Sequence, residues 1–428
     1  MFNKDLHTSF PIIPDTKVYQ VGGVVRDRLL NLPVKDIDWV VVGATPKQML
    51  KRGYQQVGKD FPVFLHPKTH EEFALARTER KTALGYHGFE FNTSPKVTLE
   101  EDLARRDLTI NAMALSANGD IIDPYQGQQD LKNKYLRHVS NAFCEDPVRI
   151  LRIARFAARY AHLGFQVAPE TVDLMKSMVK NGEVDALSPE RVFQEFCGAL
   201  KEKSPQVFLE TLRTCHALKV IFPEIDQLFG IPNPPQWHPE IDTGVHTLKV
   251  LQQCSLLTPD PMVRFASICH DLGKGLTLKQ YWPSHRGHEK KGVPVVTKLC
   301  HRLRVPKQWR ELAELCCEYH IHTHKLSEMK ASTIVKTLEK MDAFRRPERF
   351  LQYLIVCESD SKGRTGWETK PYPQKAYFQT LQQAACQIDT QQIAKECDNP
   401  KEISQQIHEA RVNALHLIHK HGQPSGQH

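Results

Sequence analysis

The sequence predicts an α/β or α+β N-terminal domain followed by an all-helical remainder, and three observations carry this. Short β-branched and aromatic runs, KVYQV at 17–21 and IDWVVV at 37–42, are separated by glycine turns within the first 125 residues. From Asp146 onward apolar residues recur at helical spacing, most clearly in RILRIARFAARYA. The 428 residues exceed what one ordinary core organises, so two to four domains are expected.

In chain order, residues 17–21 read as a strand, Gly22-Gly23 as a turn, and Val24 to about Leu30 as a helix. A second strand spans residues 37–42, and residues 63–65 and 73–76 read as two more. Ser188-Pro189 has the form of an N-cap and first-turn proline opening the helix RVFQEFCGAL, and marks one seam. IPNPPQWHP at 231–239 is too rich in proline for a helix or a central strand, and marks another. The closing HGQPSGQH is expected to be a disordered tail.

Composition excludes some classes. No run approaches eighteen uninterrupted apolar residues, so no membrane span is expected. MFNKDLHTSFPIIPDTK lacks an apolar segment behind a basic start and does not read as a secretory signal, which points to a cytoplasmic protein. The eleven cysteines are odd in number and form no C-x-x-C pair. They are expected to be reduced thiols, with Cys269 and Cys300 as small core residues. The net charge of +8 is compatible with a polyanionic partner, and arginines crowd residues 105–159.

The strongest signal is VGGVVRDRLLNLPVKDIDWVVV. Asp36 and Asp38 lie two residues apart at the mouth of a strand, so their carboxylates project from one face. Such a pair repels itself unless a cation intervenes, and hard oxygen ligands suit Mg²⁺. Gly22 and Gly23 allow close backbone approach to phosphate, the next helix offers its first N–H groups, and Arg26 can reach a phosphate. A lone D-x-D or Gly-Gly is most often a solvated turn; G-G-x-V-R-D followed by D-x-D-W-V-V-V is more specific. This combination resembles the class II tRNA nucleotidyltransferases, or CCA-adding enzymes, of the polymerase-β nucleotidyltransferase superfamily. Bacterial poly(A) polymerases carry the same head.

The resemblance extends through ARRDLTINAMAL (104–115) and EDPVRILRIARF (145–156). It assigns Arg106 to the triphosphate and Asp107 to the ribose 2′-hydroxyl. Asp146 and Arg149 lie three residues apart, share a face if both are helical, and by resemblance choose C or A without a template. Arg152 and Arg155 continue that face toward the phosphates. Glu72, beside Glu71, matches the family's third acidic position, and RTERKTALGYHGFE (77–90) resembles its flexible loop.

A second constellation reads HPEIDTGVHTL, ICHDLGKG, HRGHEKKG and YHIHTH. Histidines and a carboxylate on a helical scaffold can converge on a metal, and H-D-L-G-K-G resembles the HD-type metal phosphohydrolases. His246, His270 and Asp271 are the candidate ligands, with Lys274 a candidate phosphate contact. The distal aspartate of such sites has no evident counterpart in Glu318–His322, so His288, His320 or His324 stand as substitutes.

The resemblance implies an α+β nucleotidyltransferase head with a small mixed β-sheet at 1–140. It further implies a helical neck and body with the base-selecting helix at 141–230, an HD domain at 240–345 and a helical tail at 346–428. The implied activity is addition or repair of the tRNA 3′-terminal CCA from CTP and ATP, releasing pyrophosphate. An HD phosphatase or 2′,3′-cyclic phosphodiesterase activity accompanies it. The implied metals are Mg²⁺ in the head and a divalent transition metal such as Ni²⁺ in the HD site. tRNA, ATP and CTP are the expected partners, with no membrane, for a monomer or weak homo-oligomer. The alternatives are a poly(A) polymerase with the same head and an RNA-binding HD phosphohydrolase with an inactive head.

Overall fold

A computed structural model describes residues 13, 15–34, 36–57, 63–81 and 89–421. It comprises two compact units: residues 1–195 with 210–217, and residues 196–209 with 218–428. The stretch 82–88 of the expected flexible loop and the expected disordered tail after His421 lie outside the described residues.

The first unit opens with β1 (Lys17–Val21), α1 (Gly23–Leu29), β2 (Asp38–Val42) and α2 (Pro46–Lys51). It continues with β3 (Gln55–Val57), β4 (Val63–Leu65), β5 (Glu72–Leu75), β6 (Thr78–Lys81) and β7 (Phe89–Asn92). Then come α3 (Leu99–Ala104), β8 (Ala114–Leu115), β9 (Ile121–Ile122), α4 (Gly127–Asn133), β10 (Tyr135–Leu136), α5 (Val148–Tyr160), β11 (Gln166–Val167) and α6 (Pro169–Lys180). A seven-stranded sheet runs in the order β3-β4-β5-β2-β1-β8-β9. It is mixed: β2 pairs antiparallel with β1 but parallel with β5. The expected α+β domain is therefore present, and the four strands read from the patterning, now β1, β2, β4 and β5, lie within a residue of where it put them.

β2 explains why its sequence does not alternate. Trp39 and Val41 enter one core with Phe64, Phe73 and Met49, while Val40 enters another with Val21, Leu103 and Ala114. A strand covered on both faces reads as a continuous apolar run. Trp39 stacks on Phe73 with ring centroids 5.4 Å apart, a contact on the order of 1 kcal/mol beyond the burial itself. Only the first residue of the strand, Asp38, is polar and exposed.

α7 (Pro189–Leu200), α8 (Gln206–Thr214), α9 (Ala217–Ile221) and α10 (Pro223–Asp226) follow in the chain. The second unit then carries α11 (Thr243–Leu257), α12 (Pro261–Cys269), α13 (His288–Arg302), α14 (Lys307–His324), α15 (Ala331–Lys340) and α16 (Pro347–Lys362). α17 (Pro373–Cys386), α18 (Thr390–Glu396) and α19 (Ile403–His421) complete it. Cys269, Cys300, Cys316, Cys317 and Cys357 are buried free thiols, and burial raises all five above the usual thiol range. No described helix is long and apolar enough to cross a membrane.

Candidate functional sites

In the first unit the sheet ends in an acidic edge. Asp38 opens β2, and Glu72 on β5 is its direct partner in the parallel register. Asp36 stands just outside the strand and is exposed. Glu71 turns to a different task, accepting from the Thr69 hydroxyl at 2.8 Å. Burial pushes the Asp38 carboxyl up; Arg106 opposes this, and the Asp36 charge adds to it. Three neighbouring carboxylates, one of them disfavoured in its charged form, are a donor set suited to a hard cation.

Facing this edge is a cavity of about 590 Å³ that brings together the other candidates, from Gly23 and Arg26 to Arg106, Asp107, Asp146, Arg149, Arg152 and Arg155. Gly22 caps α1 with φ 72°, and a Cβ there would lie 2.8 Å from the Arg106 guanidinium, so the turn requires glycine. Arg26 is buried under Phe156 and Tyr160, its guanidinium carbon 5.4 and 5.3 Å from their ring centres. It donates to Asn111 Oδ1 at 2.5 Å and to Asp27 at 2.8 Å.

Asn111 ties this arginine to the next motif, donating from Nδ2 to Asp107 at 3.0 Å. A further residue organises the paired arginines. α3 begins with a reciprocal Thr98–Glu101 capping box, and carries buried Asp102 to 2.7 Å from Arg105 and 3.2 Å from Arg106. Nothing in the sequence singled out Asp102, because a helical acid before two arginines is an everyday pattern.

Asp107 is buried and accepts from the Leu108 amide, Asn111 and Arg152, the last at 2.8 Å. Burial alone would raise this carboxyl, but Arg152 and Asn111 outweigh it and hold it down at about 2. The depressed folded value makes its stabilisation complete above the unfolded pKa near 4, and lost as pH falls through about 2. Wild type is therefore expected to exceed Asp107→Asn by about 2 kcal/mol at pH 7. That excess should shrink as pH falls from 4 toward 2 in urea titrations of the two proteins; an excess that grew with acidification would contradict the assignment.

One geometric expectation is corrected. Asp146 and Arg149 do not share a helix face, because α5 begins at Val148 with Pro147 as its cap. The residue before a proline is pushed toward extended backbone, and Asp146 has φ −126° and ψ 107°. Its Oδ1 accepts from the Val148 amide at 3.0 Å and its Oδ2 from Arg191 at 2.6 Å. Arg149 is buried and donates to the carbonyls of Ala142 and Arg105, at 2.8 and 2.6 Å. Arg155 pairs with Glu195 at 2.7 Å. Arg191, 45 residues from Asp146, was absent from the candidates because only the fold brings it there.

The second unit holds a histidine centre built from helix ends. Asp242 caps α11 by accepting from the Val245 amide at 2.8 Å, which sets His246 in the first turn. α12 ends at Cys269, leaving His270 and Asp271 at the break before a 3₁₀ turn. A Cβ on Gly273 in that turn would lie 1.9 Å from the His288 carbonyl, so glycine there permits α13 to dock.

His246 Nε2 lies 3.0 Å from Asp360 Oδ1, and His270 Nε2 lies 3.9 Å from the same oxygen. Asp360, in the last turn of α16, is therefore a carboxylate that faces both histidines, in addition to the histidine substitutes that the sequence offered. It lies 114 residues beyond His246, outside the stretch where a counterpart was sought. His324, one of those substitutes, instead contacts the other Asp360 oxygen at 2.7 Å and Tyr372 at 2.8 Å. Lys274 is buried, 2.7 Å from Asp271 and 3.0 Å from Asn233.

The imidazoles are oriented for ligation. His270 Nδ1 faces the Ser267 carbonyl at 2.7 Å, which assigns the proton to Nδ1 and leaves Nε2 as a lone pair. That Nε2 is buried without a hydrogen-bond partner. Glu240, also missed in the sequence, stands 2.9 Å from His246 Nδ1 and directs its Nε2 toward Asp360. Asp271 and Asp360 are buried, a state that disfavours their charge, yet Lys274 and His270 hold Asp271, and His324, His270 and His246 hold Asp360, well below the usual carboxylate range. Mixed imidazole and carboxylate donors with supported rings fit a divalent transition metal.

Family models match the regions of the chain in which both centres lie. The family model described as the poly A polymerase head domain matches residues 18–137, and that described as a probable RNA and SrmB binding site of polymerase A matches residues 164–229. The HD domain model matches residues 243–346. The chain is 55% identical over 402 residues to the multifunctional CCA protein of Teredinibacter turnerae, covering 94% of this chain and 98% of that one. It is 58% identical over 399 residues to that of Thioalkalivibrio sulfidiphilus, covering 93% and 98%. Among solved structures, an apo CCA-adding enzyme superposes with TM-score 0.65 at 21% identity, covering 94% of this chain and 88% of that one. The Thermotoga maritima CCA-adding enzyme complexed with tRNA superposes with TM-score 0.61 at 21% identity, covering 94% and 87%.

Proposed function

This chain belongs to the multifunctional CCA protein family, and from that premise we propose how its two centres divide the work. The head adds C, C and A to the 3′ end of tRNA from CTP and ATP. The single cavity that sets the acidic edge of β2 against Arg106, Asp107, Asp146 and Arg149 carries this reading.

Asp36 and Asp38 are the residues to hold Mg²⁺, with Glu72 alongside. The ion, when bound, lowers the pKa of the tRNA terminal hydroxyl and offsets charge on the leaving pyrophosphate. The chain's own groups do the rest. The Gly22–Gly23 turn lets the triphosphate approach the backbone, while Arg26, Arg106, Arg152 and Arg155 supply guanidinium forks for its oxygens. Asp107 takes the ribose hydroxyl. Asp146 and Arg149 present an acceptor and donors to the base edge, held at fixed spacing by Arg191 and by the Ala142 and Arg105 carbonyls. The terminal oxygen then bonds to the α-phosphorus as the bond to pyrophosphate breaks.

The histidine centre supports a second activity, hydrolysis of phosphomonoesters and 2′,3′-cyclic phosphates. His246, His270, Asp271 and Asp360 would hold a transition metal there, Ni²⁺ being one candidate, and such an ion activates water at neutral pH.

The test of the head is a gel assay with transcripts ending before CCA, after C and after CC, with CTP and ATP singly and together. Extension should stop after CCA. Long A tails on an oligo(A) primer would move the head to poly(A) synthesis, and arrest after CC with both nucleotides present would make it a CC-adding enzyme.

A further inference from the structure

The two adjacent arginines that follow α3 are held very differently. Arg106 is lightly tethered: its Nη2 lies 3.2 Å from Asp102 Oδ2 and its Nη1 donates to the Asn111 carbonyl at 3.4 Å. Its Nε has no hydrogen-bond partner, so the guanidinium keeps donors in hand for a ligand. Arg105 lines the same cavity, yet its guanidinium is committed within the protein. Its Nε and Nη2 both donate to Asp102 Oδ1, at 3.1 and 2.7 Å, and Nε also reaches the Arg77 carbonyl at 3.2 Å.

Asp102 Oδ1 accepts in addition from the Arg77 amide at 3.2 Å, so both backbone groups of Arg77 are grasped. The carboxylate is fully enclosed, where charge-assisted hydrogen bonds of this kind are strong. Arg77 is the point at which the chain leaves the sheet. The preceding amide, Ala76, still donates to Val41 of β2 at 2.9 Å, whereas β6 begins at Thr78 and pairs with β7 as a separate two-stranded ribbon. The Asp102–Arg105 clasp thus fixes the root of that ribbon. The backbone of Arg105 serves another part of the cavity, because its carbonyl accepts from Arg149 Nη2 at 2.6 Å. One residue therefore joins the ribbon root, through its side chain, to Arg149, through its carbonyl.

We propose that Asp102 and Arg105 are positioning residues for nucleotide choice, their clasp setting the carbonyl that orients Arg149 relative to the root of the β6–β7 ribbon. This rests on the reading that Arg149 faces the base. A displaced carbonyl moves a guanidinium whose value lies in matching one base edge and leaving others unpaired, so the wrong bases gain on the right ones. Contacts to the triphosphate are common to all nucleotides and do not alter that ratio.

Full-length Arg105→Gln, Asp102→Asn and Thr98→Ala are compared with wild type in extension of transcripts ending before CCA and after CC. CTP, ATP, UTP and GTP are each supplied alone, and kcat/KM for the correct nucleotide is divided by that for each incorrect one. In Arg105→Gln this ratio is expected to fall by about tenfold or more. Asp102→Asn should lose the same selectivity and also slow all four nucleotides, because it loosens Arg106 as well. Thr98→Ala removes the α3 capping box without touching the clasp, and should keep the wild-type ratio. Arg105→Gln with every nucleotide slowed equally and the ratio intact would overturn the clasp and leave the reading of Arg149 standing. An equal loss of selectivity in Thr98→Ala would also overturn it, reducing the effect to the stability of α3. A wild-type protein that does not discriminate among the four would overturn the reading of Arg149 itself. Where Asp102→Asn fails to fold, Arg105→Gln decides, since that side chain is partly exposed and the carbonyl persists in the variant.

Discussion

Asp38→Ala is expected to lose CTP and ATP incorporation by roughly 10³-fold or more, the scale of several kcal/mol of transition-state charge stabilisation. Its unfolding midpoint should stay at or above that of wild type. The two halves of this expectation have one cause. Burial at the mouth of β2 and the neighbouring Asp36 charge disfavour the ionised carboxylate, with Arg106 the opposing influence. Removing it relieves a cost in the cation-free protein while deleting a group placed to hold the cation. Single-turnover extension of a transcript ending in CC, alongside a thermal melt, reads both. Incorporation within tenfold of wild type would remove Asp38 from the reaction, and a midpoint lowered by many degrees would make it a structural residue.

Asp360→Asn should behave in the opposite compartment. Each Asp360 oxygen faces a histidine, His246 at 3.0 Å and His324 at 2.7 Å. Asparagine preserves the shape but supplies one amide –NH₂ where a lone pair is needed, so it confronts an imidazole ligand with a donor. Hydrolysis of 2′,3′-cyclic AMP is expected to fall by about 10²-fold or more, the order associated with loss of metal affinity. CCA addition by the same preparation should be unchanged, since the head draws no ligand from α16. Retained hydrolysis would exclude Asp360 as a ligand; loss of both activities would point to misfolding and call for metal analysis of the soluble fraction.

What the sequence disclosed about each site followed from the range of the signal. The G-G-x-V-R-D, D-x-D and R-R-D segments are each local, so their residue types and spacing marked the candidate site, and one cavity gathers Gly22, Gly23, Arg26, Asp38, Arg106 and Asp107. The paired acids at 71 and 72 could not be told apart by spacing, because the distinction is one of pairing with β2. Asp146 misled for a local reason: a periodicity argument extended a helix backward past Pro147 to Asp146, where the backbone is extended. Asp102, Arg191, Glu240 and Asp360 carried no sequence signal that separates them from ordinary surface charge. Their meaning comes from contacts such as that between Asp360 and His246, 114 residues apart. The fold class needed no such contacts, since β-branched runs and helical periodicity are properties of short windows.

The pairing of Asp38 with Glu72 has a consequence for how the enzyme matures. Side chains alternate across a strand, so a shift of β5 by a single position would turn every one of its residues to the other side of the sheet. The misaligned molecule would keep its ladder and much of its secondary structure yet present Glu72 away from Asp38. On the proposed role of Glu72 beside Asp38, catalytic competence is thus a stricter readout of correct assembly than spectroscopy or solubility. After refolding, the fraction of chains able to extend tRNA would count those in which these two strands found their proper alignment, a built-in proofreading assay for folding itself.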